Sequence, residues 1–166
     1  MKLYVMRHGP AEDVSATGRD ADRALTSSGR DRVRSVAKAL EDAGESPRLI
    51  FTSPLARALQ TAEIVAAVTN ADVLTRAELG TSAAPLPLLR QALSERKKRV
   101  MIVGHEPDLS VLVTHLVGRG PEQGMLKALV VGVALHFEDE AAGSLFARLR
   151  FVLDPKTLEL APDVRT

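Results

Sequence analysis

Leu3-Tyr4-Val5-Met6-Arg7-His8-Gly9-Pro10 holds most of what decides the fold of this 166-residue chain. Four consecutive apolar residues bounded by polar ones predict a strand buried on both faces, as strands of a parallel sheet are. The strand runs straight into Arg7 and His8. The polar stretch from Ala11 to Asp22 then predicts a surface loop. Leu25-Thr26 opens a helix with Thr26 as its cap, Val33, Val36, Ala37 and Leu40 recur on one face, and Gly44 ends it.

The same unit returns twice. Leu49-Ile50-Phe51 predicts a second strand, followed by a helix with Ser53 as cap, Pro54 at its first position and Arg57 in its first turn. The buried face of that helix is expected to carry Leu55, Ala58, Leu59, Ala62 and Val65 or Ala66. Val73-Leu74 reads as a minor strand, and Leu88 to Arg96 as a helix. Val100 to Val103 predicts a third strand ending at Gly104-His105-Glu106-Pro107, and Asp108 is expected to cap a helix carrying Leu109, Leu112, Val113 and Leu116. Residues 129–137 and 145–153 suit an antiparallel hairpin at one edge of the sheet, turning at 138–143. Asp154 to Thr166 reads as a surface tail. The expected fold is α/β: a single three-layer αβα domain over residues 1–166, mostly parallel, with a C-terminal antiparallel hairpin.

Composition narrows the function classes. Lys and Arg number 22 against 21 Asp and Glu, a net charge of +1, which gives no field favouring nucleic acid or an anionic membrane. The absence of cysteine removes disulfides and thiol chemistry and suits a reducing compartment. The N-terminal apolar run is too short for a signal peptide, and no stretch approaches the ~20 apolar residues of a membrane span. A cytoplasmic protein, monomeric or weakly oligomeric, is expected.

Three segments each leave a buried strand and present basic side chains: Arg7-His8, Arg57 and His105. The carboxyl ends of strands are where open α/β sheets bind ligands, so the three can converge. Such a cluster is a poor stabiliser of a fold, because like charges repel and each is costly to bury alone. An anion resolves the conflict, and a phosphoryl group suits it, since Arg offers forked donors to two oxygens. Binding and catalysis both remain open at this point, although positive neighbours would keep an imidazole neutral and nucleophilic.

Arg7-His8-Gly9, Ser53-Pro54-Leu55-Ala56-Arg57-Ala58-Leu59-Gln60-Thr61-Ala62 and Gly104-His105-Glu106-Pro107, in that order, resemble the histidine phosphatase superfamily, as does Leu25-Thr26-Ser27-Ser28-Gly29. The resemblance runs from about Leu3 to Val117. It implies a metal-independent phosphohydrolase without cofactor, in which His8 attacks phosphorus in line while Arg7, Arg57 and His105 hold the oxygens. Activity would need His8 neutral and His105 protonated, which implies a bell-shaped pH profile. Glu78 stands near where a family general acid often lies. The interval before His105 lacks the insertion of the larger mutases, and the small size resembles the SixA type of phosphohistidine phosphatase. In that group the segment like Asp22-Arg23-Ala24-Leu25-Thr26 sets an additional Arg near the groove, which makes Arg23 a substrate-binding candidate.

The implied partner is a phosphorylated protein or a small phosphorylated substrate. Sugar or nucleotide phosphates are the alternative substrates, and a phosphate-binding module without turnover is the alternative class. His105-Glu106-x-Asp108 could suggest a metal site, but helix-starting roles for Pro107 and Asp108 argue against it. His115 and His136 read as structural or exposed.

Overall fold

The computed structural model describes residues 1–80, 86–139 and 144–162. Seven strands form one sheet in the order β3-β2-β4-β1-β5-β6-β7. Here β1 is Lys2–Arg7, β2 Leu49–Thr52, β3 Asp72–Thr75, β4 Arg99–Gly104, β5 Val130–Asp139, β6 Ser144–Leu153 and β7 Leu160–Pro162. The helices are α1 Ser27–Asp42, α2 Ala56–Thr69, α3 Leu86–Ser94 and α4 Asp108–Val117. Strands β3, β2, β4 and β1 run parallel, and β5, β6 and β7 follow antiparallel.

The period-2 alternation of β1 builds the three layers. Tyr4 and Met6 pack with Val33, Val36, Ala58 and Ala62 under α1 and α2. Leu3 and Val5 face the other way, onto Leu89, Leu109, Leu112 and Val113 of α3 and α4. Both faces of the parallel half are therefore covered, as the continuous apolar run of β1 requires. Among the described residues no helix is long and apolar enough to cross a membrane.

Register then fixes where the strands end. Arg7 lies beside Gly104 and Thr52 beside Val103, so β1, β2 and β4 finish level with one another. The backbone continues this alignment, with His8 N–H donating to Gly104 O and Ser53 N–H to Val103 O, each at 3.1 Å.

Three features of the helices depart from expectation. Helix α2 begins at Ala56, and Ser53 is not its cap; the Ser53 hydroxyl accepts from Leu55 N–H instead. The buried face of α2 is also rotated, carrying Arg57, Thr61 and Thr69 with Ala58, Ala62 and Val65, while Leu55, Leu59 and Ala66 are half-buried. Asp108 does not cap α4. That position belongs to Pro107, and the Glu106 carboxylate accepts the Ser110 N–H at 3.1 Å.

The tail is more than surface chain. Leu160–Pro162 pairs with β6 as a seventh strand, which moves the edge of the sheet beyond the hairpin. The expected turn at 138–143 lies in part outside the described residues, as do residues 163–166 of the tail.

Candidate active site

Each candidate side chain is delivered by a strand end. His8 follows β1, Arg57 sits in the first turn of α2 after β2, and His105 follows β4. Two contacts hold the His8 loop. Thr61 Oγ1 accepts the Gly9 N–H at 3.0 Å and itself donates to Arg57 O at 2.7 Å, tying the loop to α2. A side chain at Gly9 would also meet Val33 of α1 at 2.5 Å, so only glycine lets the loop lie this close to the helix.

The four expected residues come together. The His8 and His105 rings lie 5.2 Å apart, tilted by 51°. Arg7 and Arg57 are close enough that their charges act on both imidazoles. Arg7 Nη1 donates to Met125 O at 2.8 Å, leaving Nε buried without a partner. Arg57, with a side chain only 8% exposed, donates from Nη1 to Asp20 O at 2.9 Å and from Nη2 to Asp20 Oδ2 at 3.1 Å. Its Nε is likewise buried and unsatisfied. His105 Nε2 lies 2.8 Å from Ser53 Oγ, and its Nδ1 has no partner. Unpaired buried polar atoms are few in folded proteins and call for an explanation. Arg7 Nε, Arg57 Nε and His105 Nδ1 all belong to this one cluster.

His8 has a defined tautomer. Its Nδ1 lies 2.7 Å from Gly9 O, and a carbonyl only accepts, so Nδ1 carries the proton and Nε2 keeps its lone pair. Burial, followed by the charges of His105, Arg57 and Arg7, lowers its pKa to about 3 against the opposing bond to Gly9. His105 is lowered to about 4, by burial first, then by Arg57, with Asp20 opposing and Arg7 and Arg23 adding. Both rings are therefore neutral near pH 7 in the ligand-free site. A bell-shaped profile needs His105 protonated, and in the ligand-free site burial first, then the guanidinium charges of Arg57, Arg7 and Arg23, act against that while the Asp20 carboxylate opposes them.

Arg23 joins the cluster through Asp20. Its Nε donates to Asp20 Oδ1 at 2.8 Å and its Nη1 to Glu12 O at 3.0 Å. Asp20 is the member of the cluster that the sequence reading absorbed into a surface loop. It lies on a short 3-10 turn, Asp20–Asp22, and its carboxylate bridges Arg23 and Arg57. The spacing Asp20-x-x-Arg23 was a visible hint of the local pair; nothing local points to Arg57. Glu78 is exposed on a second turn, Ala77–Gly80, whose Gly80 packs against Pro54 and Leu55.

Among the described residues no group of three His, Asp or Glu is placed to hold a metal ion. Glu106 is engaged locally, accepting also from Ser110 Oγ at 2.6 Å. His115 is exposed on α4, and His136 is exposed on β5 against Phe146, ring centroids 4.9 Å apart.

A sheet whose parallel strands end on two histidines and two arginines defines a class, and the chain belongs to it: the histidine phosphatase superfamily, whose branch 1 pattern matches residues 3–80. By family the protein is a phosphatase. An uncharacterised protein of Picosynechococcus is 40% identical over 126 residues, covering 66% of this chain and 68% of the relative. The architecture is of the SixA type. The structure of the protein histidine phosphatase SixA with tungstate matches with a TM-score of 0.79 and 26% identity, covering 96% of this chain and all of the other. A SixA homologue from Agrobacterium tumefaciens, described as a phosphohistidine phosphatase, shares the fold at a TM-score of 0.74 and 24% identity over 93% of this chain and 97% of its own. A mycobacterial glucosyl-3-phosphoglycerate phosphatase shares it at a TM-score of 0.67 and 20% identity, over 89% and 96%.

Proposed function

We propose that this protein hydrolyses phosphohistidine on a protein substrate through a covalent intermediate on His8. The observation that carries the mechanism is the His8 tautomer: Nδ1–H is held by Gly9 O, which leaves a bare Nε2 beside cations with unused donors. In this reading the phosphorylated imidazole of the substrate carries a proton on its other nitrogen. As Nε2 of His8 forms a bond to phosphorus, the P–N bond breaks and that ring leaves as neutral imidazole. Water then hydrolyses the phosphorylated His8 to inorganic phosphate and the free enzyme. Arg7, Arg57 and His105 stabilise the oxygens in both steps as preorganised donors, and Arg23 contributes from the rim.

The chemistry as written calls for no metal or organic cofactor, because guanidinium groups supply the positive charge. Two considerations favour phosphohistidine over phosphate esters. A phosphohistidine ring protonated on its other nitrogen leaves as neutral imidazole, whose conjugate acid has an ordinary pKa of about 6.5, so its departure needs far less help from a carboxylic acid than that of an alkoxide does. Asp20, the carboxylate bonded to the cluster, is held below its usual range by hydrogen bonds from Arg23 and Arg57 and so stays ionised, unsuited to giving a proton. The 26% identity with SixA across nearly the whole chain points the same way.

A side-by-side assay on a phosphorylated histidine carrier protein and a panel of sugar and nucleotide phosphates tests the reading. We expect phosphate release from the carrier at a kcat/KM well above any ester. His8→Ala should abolish it, by more than about a thousandfold, with the fold retained. A preference for esters by orders of magnitude would overturn the substrate assignment, and saturable binding without release would make the protein a phosphate-reading module.

A further inference from the structure

The two site histidines are held by different partners, and the difference assigns a role to a residue outside the catalytic four. Ser53 is fully buried at the end of β2. Its Oγ accepts the Leu55 N–H at 3.2 Å, which leaves the hydroxyl one proton to place and one lone pair to fill. His105 Nε2, at 2.8 Å, is its other bonding partner.

Two arrangements of that contact are possible. If Nε2 carried the ring proton, Ser53 Oγ would accept two N–H groups and its own buried O–H would have no acceptor. If Nε2 is bare, the Ser53 O–H donates to it, and the donors of the hydroxyl and of the Leu55 N–H are both used, with one hydroxyl lone pair left over. The ring proton then sits on Nδ1, the buried atom with no protein partner. A doubly protonated ring would face Arg57, Arg7 and Arg23, with Asp20 alone opposing and the neutral His8 ring 5.2 Å away.

We propose that Ser53 is a positioning residue that holds His105 in its Nδ1–H tautomer, so that a neutral imidazole offers an N–H to the phosphoryl group. Gly9 O and Ser53 Oγ thereby set two chemically equal rings to opposite tasks, His8 presenting a lone pair and His105 a proton. The identity of what meets Nδ1–H rests on the phosphoryl site proposed above. The preference for that tautomer is strongest with the anion in place, because Nδ1–H has no partner within the protein.

Long-range proton–nitrogen correlation spectra of the nitrogen-15-labelled protein at pH 7, recorded without and with saturating inorganic phosphate, test the idea, with His105 assigned by its loss in His105→Gln. The expected result is a protonated Nδ1 and a bare Nε2. Ser53→Ala should move the ring toward Nε2–H and lower kcat by about a hundredfold to a thousandfold, comparable to losing one preorganised donor, with KM changed less than about threefold. A wild-type ring protonated on Nε2, or on both nitrogens, in saturating phosphate overturns the proposal. So does a Ser53→Ala variant that retains Nδ1–H, whatever its activity. The wild-type spectrum decides the tautomer even if the variant does not fold, and it requires no turnover, so failure of the phosphatase reading would be seen separately in the phosphate-release assay.

Discussion

One strand carries a charged cluster at each end, and the two are built in opposite ways. At the amino end of β1, Lys2 and Tyr4 donate to the Glu45 carboxylate, which also takes both terminal nitrogens of Arg150. Burial alone would push the Glu45 pKa up, but the bonds from Arg150, Tyr4 and Lys2 outweigh it and bring the group to about 2. At the carboxyl end, Arg7, His8, Arg57 and His105 gather with inner donors unpaired, and the Asp20 carboxylate that bonds Arg57 is 66% exposed at the rim. The first cluster is complete as folded. The second keeps buried donors without partners, which the proposed phosphoryl group would complete, and the contrast sets charge paired within the fold against charge left for a ligand.

The sharpest way to break that contrast is to remove one member from each end. Arg57→Ala should lower kcat/KM by about a thousandfold or more, the scale of an arginine that stabilises a transferring phosphoryl group. Its melting temperature should stay within a few degrees, because the variant also relieves repulsion among the cations. A large loss of stability with activity intact would show that Arg57 serves the fold. Glu45→Ala should do the reverse. It strands Arg150 and Lys2 and should cost roughly 2–3 kcal/mol, toward the low side for a broken buried ion pair because Lys2 is a third exposed. Urea unfolding and steady-state kinetics on the same preparation measure both, and kcat is expected to be unchanged.

Acid titration sharpens the comparison further. The folded pKa values of His8 and His105, about 3 and 4, lie below the ordinary 6.5, so between these limits the unfolded chain binds more protons than the folded one. Stability is thus full above about pH 6.5 and declines as pH falls toward 4, by an amount on the order of a few kcal/mol. Glu45, lowered from 4.5 to about 2, adds its own loss only below pH 4.5. Unfolding free energies measured from pH 7.5 to 4 should therefore fall, and His8→Ala should flatten part of that fall. An unchanged slope in the variant would place the neutral histidines outside the balance.

Particular residues show how far the chain could be read before it folded. The strand ends, Thr26 as the α1 cap and the gathering of His8, Arg7, Arg57 and His105 were legible, because apolar runs and basic residues immediately after them are local features. The starts of α2 and α4 were misplaced because Ser53 and Asp108 are good caps in isolation, yet Ser53 is committed to His105 and Glu106 already serves Ser110. The strand 160–162 was missed because its pairing depends on the edge that β6 offers.

By itself, the order of residues determined the layered sheet, the line of strand ends and the cationic character of what stands there, since hydrophobic period and strand termination are written within a few neighbours. Only the tertiary structure decided that Asp20 grips Arg57 from 37 positions away and that Ser53 meets His105 across 52. Protonation states and hydrogen-bond partners are properties of a site in space, set by whichever polar groups register and packing bring within 3 Å or so.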